Sequence, residues 1–222
     1  MSVASLLAAA VVAMCPHTLA NELASTPGAS QLVTVQASGF GTTTASVALW
    51  ERRGACWRLV AGPWRARVGR SGLSDRKREG DGATPTGAYA LGPVVYGIAP
   101  APGGSTAYHR LVCGDWWNED PSSPGYNTFR HVACGTTPPF GGGSEALWRA
   151  TTAYQQFAVV EYNVSPTVAS RGSAIFVHDD TGTATNGCVS LPHAQLVRLL
   201  RWLRPAAHPQ IVIGTAAEIR SF

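Results

Sequence analysis

Ile175-Phe176-Val177-His178-Asp179-Asp180-Thr181-Gly182-Thr183-Ala184-Thr185-Asn186-Gly187-Cys188-Val189-Ser190-Leu191-Pro192 is the stretch on which the reading of this chain turns. Ile175, Phe176 and Val177 are a short apolar run that reads as a buried strand ending at His178. A small, polar, Gly-containing loop follows, and Cys188 comes ten positions after the histidine. Pro192 to Leu203 then reads as an amphipathic helix. Leu196, Leu199, Leu200 and Leu203 lie on its core side, and Arg198, Arg201 and Arg204 on the other. A strand, histidine, loop, cysteine and helix in this order can bring an imidazole to a thiol. The imidazole can then take the thiol proton and leave a nucleophilic thiolate. Pro192 suits the first helical turn, so the positive end of the helix is expected to favour that thiolate. Gly187 permits a tight turn, and the N–H groups of Gly187 and Cys188 are the candidate oxyanion donors. Asp179 or Asp180 is expected to orient the imidazole. Adjacent strand residues face opposite sides, so one of them serves and not both.

The size and composition restrict the alternatives. With 222 residues, 45% hydrophobic and 14% charged, the chain has material for one packed domain and is not a disordered one. No apolar run reaches the roughly 20 residues of a membrane-spanning helix. The formal net charge of +4 comes almost wholly from scattered arginines, Lys77 being the only lysine, with no aromatic-flanked basic stripe. A nucleic-acid partner is therefore not expected, whereas a mildly cationic surface suits an anionic polymer. No metal is expected. His178, His193 and Cys188 are a poor tetrahedral set, and no CxxC or HxxxH pair is present.

The N-terminus reads as an export signal. Ser5 to Met14 is an apolar stretch, and Thr18-Leu19-Ala20 offers a small-x-small cleavage site, which gives a signal peptide over 1–20. Residues 21–30 read as a linker and 31–222 as the folded domain. Removal of Cys15 would leave Cys56, Cys113, Cys134 and Cys188. Cys113 and Cys134 flank an aromatic, Pro-rich loop, and a bridge between them would stabilise it by about 3 kcal/mol. Cys56 then reads as a buried thiol beside Trp57. The competing pairing, Cys56 with Cys188, would remove the candidate nucleophile.

Strand signals dominate the first half. Gln31–Val35 alternates, and Ala45–Trp50 and Cys56–Val60 flank a turn at Arg53-Gly54, as in a hairpin. Trp64 to Val68 continues the pattern. Gly69 to Gly87 reads as a long loop, Tyr89-Ala90-Leu91 as a strand, and Gly92 to Gly143 as a Gly- and Pro-rich region with little helical periodicity. Trp116, Trp117 and Tyr126 fall there and are candidates for an aromatic cleft wall, though such residues are more often core. Ser144 is read as the cap of a helix to about Gln156. Ala158–Tyr162 and Gln210–Ile213 read as strands. The fold class is mainly β, of α+β type, with two or three helices.

With these residues in view, the chain resembles the L,D-transpeptidases, the YkuD-like family of exported cysteine enzymes that act on peptidoglycan. The family motif, a strand His followed by Ser/Thr-x-Gly-Cys, is matched by His178 and Thr185-Asn186-Gly187-Cys188. Arg78 to Gly87 is similar to the family's Asp-Gly-x-Thr-Pro-x-Gly segment. Cys188 to Pro192 and Ile211-Val212-Ile213-Gly214 are similar to an actinobacterial-type branch. Asn186, Ser190 and Asp179 stand where many members have His, Arg and Gly. The resemblance implies a β-sandwich fold, a secreted or wall-associated location, no cofactor, and peptidoglycan stem peptides as donor and acceptor. It implies acyl transfer through a Cys188 thioester with His178 as base, and peptidoglycan cross-linking as the outcome. Thr86, Tyr89, Asp179 and Asn186 become candidates for substrate contact or for orienting the site. An L,D-carboxypeptidase using water as acceptor, or a non-catalytic wall-binding module, remains an alternative.

Overall fold

The structure, a computed structural model, describes residues 14–222; most of the expected signal peptide falls on 1–13 and lies outside the described residues. Strands β1 (Gln31–Ala37), β2 (Thr44–Arg53) and β3 (Cys56–Arg67) form the antiparallel run that the alternation predicts. The β2–β3 hairpin turns at Gly54, whose φ of 60° suits a tight hairpin bend. The short β4 (Leu73–Ser74) and β5 (Thr84–Pro85) pair with each other inside the expected long loop. Strands β6 (Gly87–Gly97) and β7 (Ala107–Arg110) follow. A separate three-stranded sheet joins β8 (Asp115–Asn118), β9 (Thr128–His131) and β10 (Glu145–Ala146). The chain ends with β11 (Phe157–Val160), β12 (Phe176–Asp179), β13 (Val189–Leu191), helix α1 (His193–Trp202) and β14 (Gln210–Thr215).

The large sheet runs β11-β12-β13-β3-β2-β1-β14-β6-β7, and β6 pairs a second time, with β11. This second pairing folds the mixed sheet back on itself. Val33, Val47, Leu49, Leu91, Val177, Val189, Ile211 and Ile213 then share one core, to which α1 adds Leu196, Leu199 and Leu200. A second, aromatic cluster gathers Trp117, Tyr154, Phe157 and Phe176 around Leu147 and Cys188. The mainly β class stands, with one α-helix among the described residues where two or three are expected.

The helix expected over Ser144–Gln156 is absent. Glu145 and Ala146 pair with Trp117 and Trp116 of β8, a single 3-10 turn covers Leu147–Arg149, and bends follow. The helical spacing of Leu147, Ala150 and Tyr154 arises because the bends return these residues to the aromatic cluster. Tertiary packing overrides the local pattern here.

The N-terminal segment also departs from expectation. Cys15 is bonded to Cys56, so Cys56 is not a thiol, and neither partner is available to Cys188. Residues 21–30 are packed rather than a free linker. Ala24 N–H and Ser25 N–H donate to the carbonyls of Arg220 and Phe222, and Arg52 donates to the Ala29 carbonyl. Ala20 and Ala29, each 2% exposed, join Leu32, Trp50, Trp57 and Val212 in a third cluster. That cluster explains why β1 is buried on both faces. The Cys113–Cys134 disulfide is present as expected.

Candidate active site

Parallel pairing of β12 with β13 brings the two candidate residues together. The register sets Val177 opposite Val189 and His178 opposite Ser190, which leaves Cys188 one step earlier, beside Phe176. Residues opposed across a ladder point to the same side. His178, Phe176, Cys188 and Ser190 therefore share a face, with the imidazole and thiol as diagonal neighbours. Both line a cavity of about 530 Å³, with Tyr154, Glu145, Arg149 and Asn186 among the other walls. Cys188 is 8% exposed and His178 6%.

The imidazole is fixed by its own strand. His178 Nδ1 lies 2.7 Å from the Asp179 carbonyl oxygen. A carbonyl only accepts, so Nδ1 carries the proton and Nε2 keeps its lone pair for a thiol proton. The Tyr154 ring meets the imidazole edge-on, with centroids 5.8 Å apart and planes at 83°. Neither carboxylate near the histidine orients it, contrary to expectation. Asp179 Oδ1 accepts from His193 Nδ1–H at 2.7 Å and its Oδ2 accepts from Gln156 N–H at 3.1 Å. Asp180 pairs with Arg67 at 3.0 Å. Asp179 acts on His178 through its main chain. Burial pushes the Asp179 carboxyl up, with His193 and Gln156 opposing the rise.

The thiol is held neutral. Phe176 N–H donates to Sγ at 3.4 Å, and the S–H points at the Ala174 carbonyl, 3.2 Å away. Ala174 has φ of 52°, a left-handed conformation that costs a non-glycine residue about 1–2 kcal/mol. That turn aims its carbonyl at the sulfur. Burial, and then the nearby Glu145 carboxyl, push the Cys188 thiol far up. Burial also lowers His178 below its usual value, against an upward pull from its bond to Asp179. The resting pair is thus thiol and neutral imidazole, not an ion pair. The expected help from the helix end does not reach the sulfur. Helix α1 starts at His193, and β13 lies between it and Cys188.

The loop before the cysteine is tied down by two threonines. Thr185 Oγ1–H donates to the Cys188 carbonyl at 2.6 Å, and Thr84 Oγ1–H reaches the same oxygen at 3.3 Å. Gly187 N–H donates to Thr185 Oγ1 at 3.1 Å, so it is committed to the loop. Of the two expected oxyanion donors, the Cys188 N–H is the one that remains. Gly187 has φ of 141°, and a Cβ there would lie 3.0 Å from the Ala83 carbonyl, so the position suits only glycine. Asn186 is exposed at the cavity wall, its Oδ1 accepting from Arg70.

Thr86 and Tyr89 do not reach the cavity. Tyr89 O–H donates to the Thr86 carbonyl, and its ring packs edge-on against Tyr162 at 5.5 Å. Both serve the turn into β6. The useful threonine of the Thr84-Pro85-Thr86 run is Thr84. Lys77 is 6% exposed under the site, donating to Asp81 Oδ1 at 2.7 Å and to the Arg78 carbonyl at 2.8 Å. Burial acts to raise the Asp81 carboxyl, but the bonds from Lys77, Ala83 N–H and Arg78 N–H hold it below its usual range. Trp117 and Tyr126 are core residues; Trp116 is half-buried.

Two further carboxyls, Glu79 and Glu119, lie close to that of Glu145 in the cavity wall. Glu145 Oε2 accepts from Tyr154 O–H, and Glu79 Oε2 accepts from Ser173 Oγ–H at 2.6 Å and from Tyr126 O–H. Glu119 Oε1 is buried with no hydrogen-bond partner. Burial, with Glu145 and Glu79 adding to it, pushes Glu119 up to about 9 from 4.5. A carboxyl raised on folding keeps its proton in the folded chain while the unfolded chain releases it. Stability therefore falls as pH rises from 4.5 towards 9. Glu119→Gln is expected to leave stability at pH 5 nearly unchanged and to raise it by about 2 kcal/mol at pH 8. Thermal melts at the two pH values check this, and equal shifts at both would reject it.

Among the described residues no group of His, Cys, Asp and Glu side chains is arranged to hold a metal ion, and no helix is long and apolar enough to cross a membrane. Residues 42–216 match the family described as YkuD, L,D-transpeptidase catalytic domain. No curated protein matches the chain.

Proposed function

The chain belongs to the YkuD family of L,D-transpeptidase catalytic domains, and on that premise we propose an exported enzyme that cross-links peptidoglycan stem peptides through a Cys188 thioester. One observation carries this reading: Cys188, the free cysteine among the described residues, shares a cavity with a histidine whose Nε2 has its lone pair available.

In the proposed sequence the donor carbonyl, on the L side of an L,D peptide bond, enters above Sγ. His178 Nε2 takes the thiol proton as sulfur bonds to the carbonyl carbon. The Cys188 N–H faces the developing oxyanion. His178 returns the proton to the leaving amine as the C–N bond breaks, which leaves the thioester. The acceptor amine of a second stem then attacks, His178 takes its proton, and the thiolate leaves and is reprotonated. Diaminopimelate at stem position three and D-alanine as leaving group fit this scheme. Water in place of the acceptor amine would give a carboxypeptidase.

Export accords with two disulfides, which persist in oxidising compartments. Cleavage after Ala20 would remove Cys15, half of the bridge to Cys56. We therefore place processing upstream of Cys15, in revision of the 1–20 signal peptide.

Intact-protein mass spectrometry after carbapenem treatment tests the reading. The wild-type protein is expected to gain one acyl adduct and Cys188→Ala none. With a tetrapeptide donor and an amine acceptor, a cross-linked product supports the transpeptidase and a tripeptide alone the carboxypeptidase. No adduct and no release of the terminal residue would leave a non-catalytic wall-binding domain. The same spectrum gives the mature mass, and an N-terminus beyond Cys15 contradicts the processing site.

A further inference from the structure

The segment Glu145–Arg149 borders two cavities. Glu145 and Arg149 face the one that holds Cys188. Trp148 and Arg149 face a second, of about 380 Å³, whose other walls include Trp116, Thr136, Thr137 and Pro138. Arg149 lines both, so the two cavities are neighbours on either side of this residue.

The second cavity is a built surface. Trp116 and Trp148 are half-buried and meet edge-to-face, with centroids 5.2 Å apart and planes at 86°. Phe140 backs Trp116 at 6.1 Å, and the Arg149 guanidinium lies 5.5 Å from the Trp148 ring centroid. The Cys113–Cys134 disulfide closes the opposite wall. Asp115, wholly buried, ties that wall to its neighbours by accepting from His109 Nε2–H at 2.8 Å and His131 Nδ1–H at 2.7 Å. The aromatic surface is therefore held before any ligand arrives, which lowers the ordering cost of binding.

The chemistry of these walls selects among the parts of a peptidoglycan substrate. A pyranose ring offers an apolar C–H face, suited to an indole plane, and a rim of hydroxyl and acetamido groups, suited to threonine hydroxyls and a guanidinium. The walls contain no carboxylate to pair with the ammonium of a stem peptide. They match a pocket of aromatic surface with a few placed polar groups.

We propose that this cavity is a subsite for an N-acetylated sugar of the glycan strand that carries the donor stem, with Trp148 as the stacking platform. The proposal rests on the transpeptidase reading for the identity of its substrate. It makes the enzyme a reader of strand-attached stems rather than of free peptides.

The test compares two donors, a free tetrapeptide and the same tetrapeptide attached to its disaccharide. The wild-type KM is expected to be about tenfold lower for the disaccharide-bearing donor, and Trp148→Ala is expected to bring the ratio of the two KM values close to one. Because the ratio is internal to each protein, partial loss of folded material cancels. A wild-type ratio near one, or a ratio unchanged in Trp148→Ala, overturns the proposal. If neither donor is turned over, the transpeptidase reading fails instead. Titration of the peptide-free disaccharide, followed by tryptophan fluorescence, then decides the subsite. Saturable binding lost in Trp148→Ala supports it, and no binding to the wild-type protein overturns it.

Discussion

His178→Gln is expected to lower kcat/KM for the donor stem by about 10³-fold without loss of the folded state. Glutamine can still donate to the Asp179 carbonyl, as Nδ1 does at 2.7 Å, but offers no lone pair of comparable basicity to the thiol. The pH behaviour separates this role from a structural one. Burial lowers the imidazole below 6.5, so the ring stays neutral through pH 7, and in the proposed mechanism activity is lost only as pH falls through that lowered value. The thiol is pushed in the opposite direction, first by burial and then by Glu145. At neutral pH the thiolate is therefore scarce until a substrate arrives. Iodoacetamide should label Cys188 at pH 7 about 100-fold more slowly than the same cysteine in the unfolded chain, with a rate that climbs as pH rises. Rapid labelling that stays level down to pH 5 would reveal a preformed ion pair and defeat this account. A fall in activity for His178→Gln that matched a fall in melting temperature would reduce the residue to a packing role.

A resting site of this kind suits the export proposed above. A buried, protonated thiol whose S–H is aimed at the Ala174 carbonyl resists oxidation and disulfide exchange. The left-handed Ala174 that aims this carbonyl shows that the arrangement is imposed by the fold.

The parts of the chain with strong local signals were legible. The β2–β3 hairpin has alternation and a glycine turn, α1 has its leucine stripe, and β12 is a short apolar run. The His178 and Cys188 motif is local too, and the parallel pairing of β12 with β13 turns it into one face. What escaped depends on contacts between segments far apart in sequence. Cys15 and Cys56 are separated by 41 residues, and cysteine spacing alone does not choose a pairing. The stretch 144–156 carries helical spacing, but Glu145 and Ala146 find strand partners in β8, and the bends that follow serve the aromatic cluster. Thr84 and Thr86 are one residue apart from Pro85 on either side. Which of them meets the Cys188 carbonyl is set by where β5 crosses under the loop, a fact of tertiary structure. Lys77 stood out as the sole lysine, but nothing local indicated that it is buried.

That crossing makes Gly69 a sensitive position outside the cavity. Three segments meet there. Gly69 N–H donates to Thr84 Oγ1 at 2.8 Å, and its neighbours Val68 and Arg70 bond the backbone of Thr185 at 3.0 and 2.7 Å. Thr84 and Thr185 are the two residues that hold the Cys188 carbonyl. A Cβ at Gly69 would lie 2.3 Å from the Gly82 carbonyl oxygen and 2.8 Å from both Ala83 Cα and the Gly72 carbonyl oxygen. All three are backbone atoms and cannot swing aside as a side-chain tip can, so the strands and loops must part. Gly69→Ala is expected to cost about 3 kcal/mol or more. In a chain of this length that is a drop of roughly 6–12 °C in melting temperature. Gly39→Ala is the matched control, since nothing lies within 4 Å of the added carbon. Because the displaced threonines position Cys188, the proposed nucleophile, the surviving folded fraction of Gly69→Ala should also lose about 10²-fold in kcat per active site, counted by carbapenem titration. A variant that melts like Gly39→Ala, or keeps full turnover per titrated site, would show that the crossing does not position Cys188.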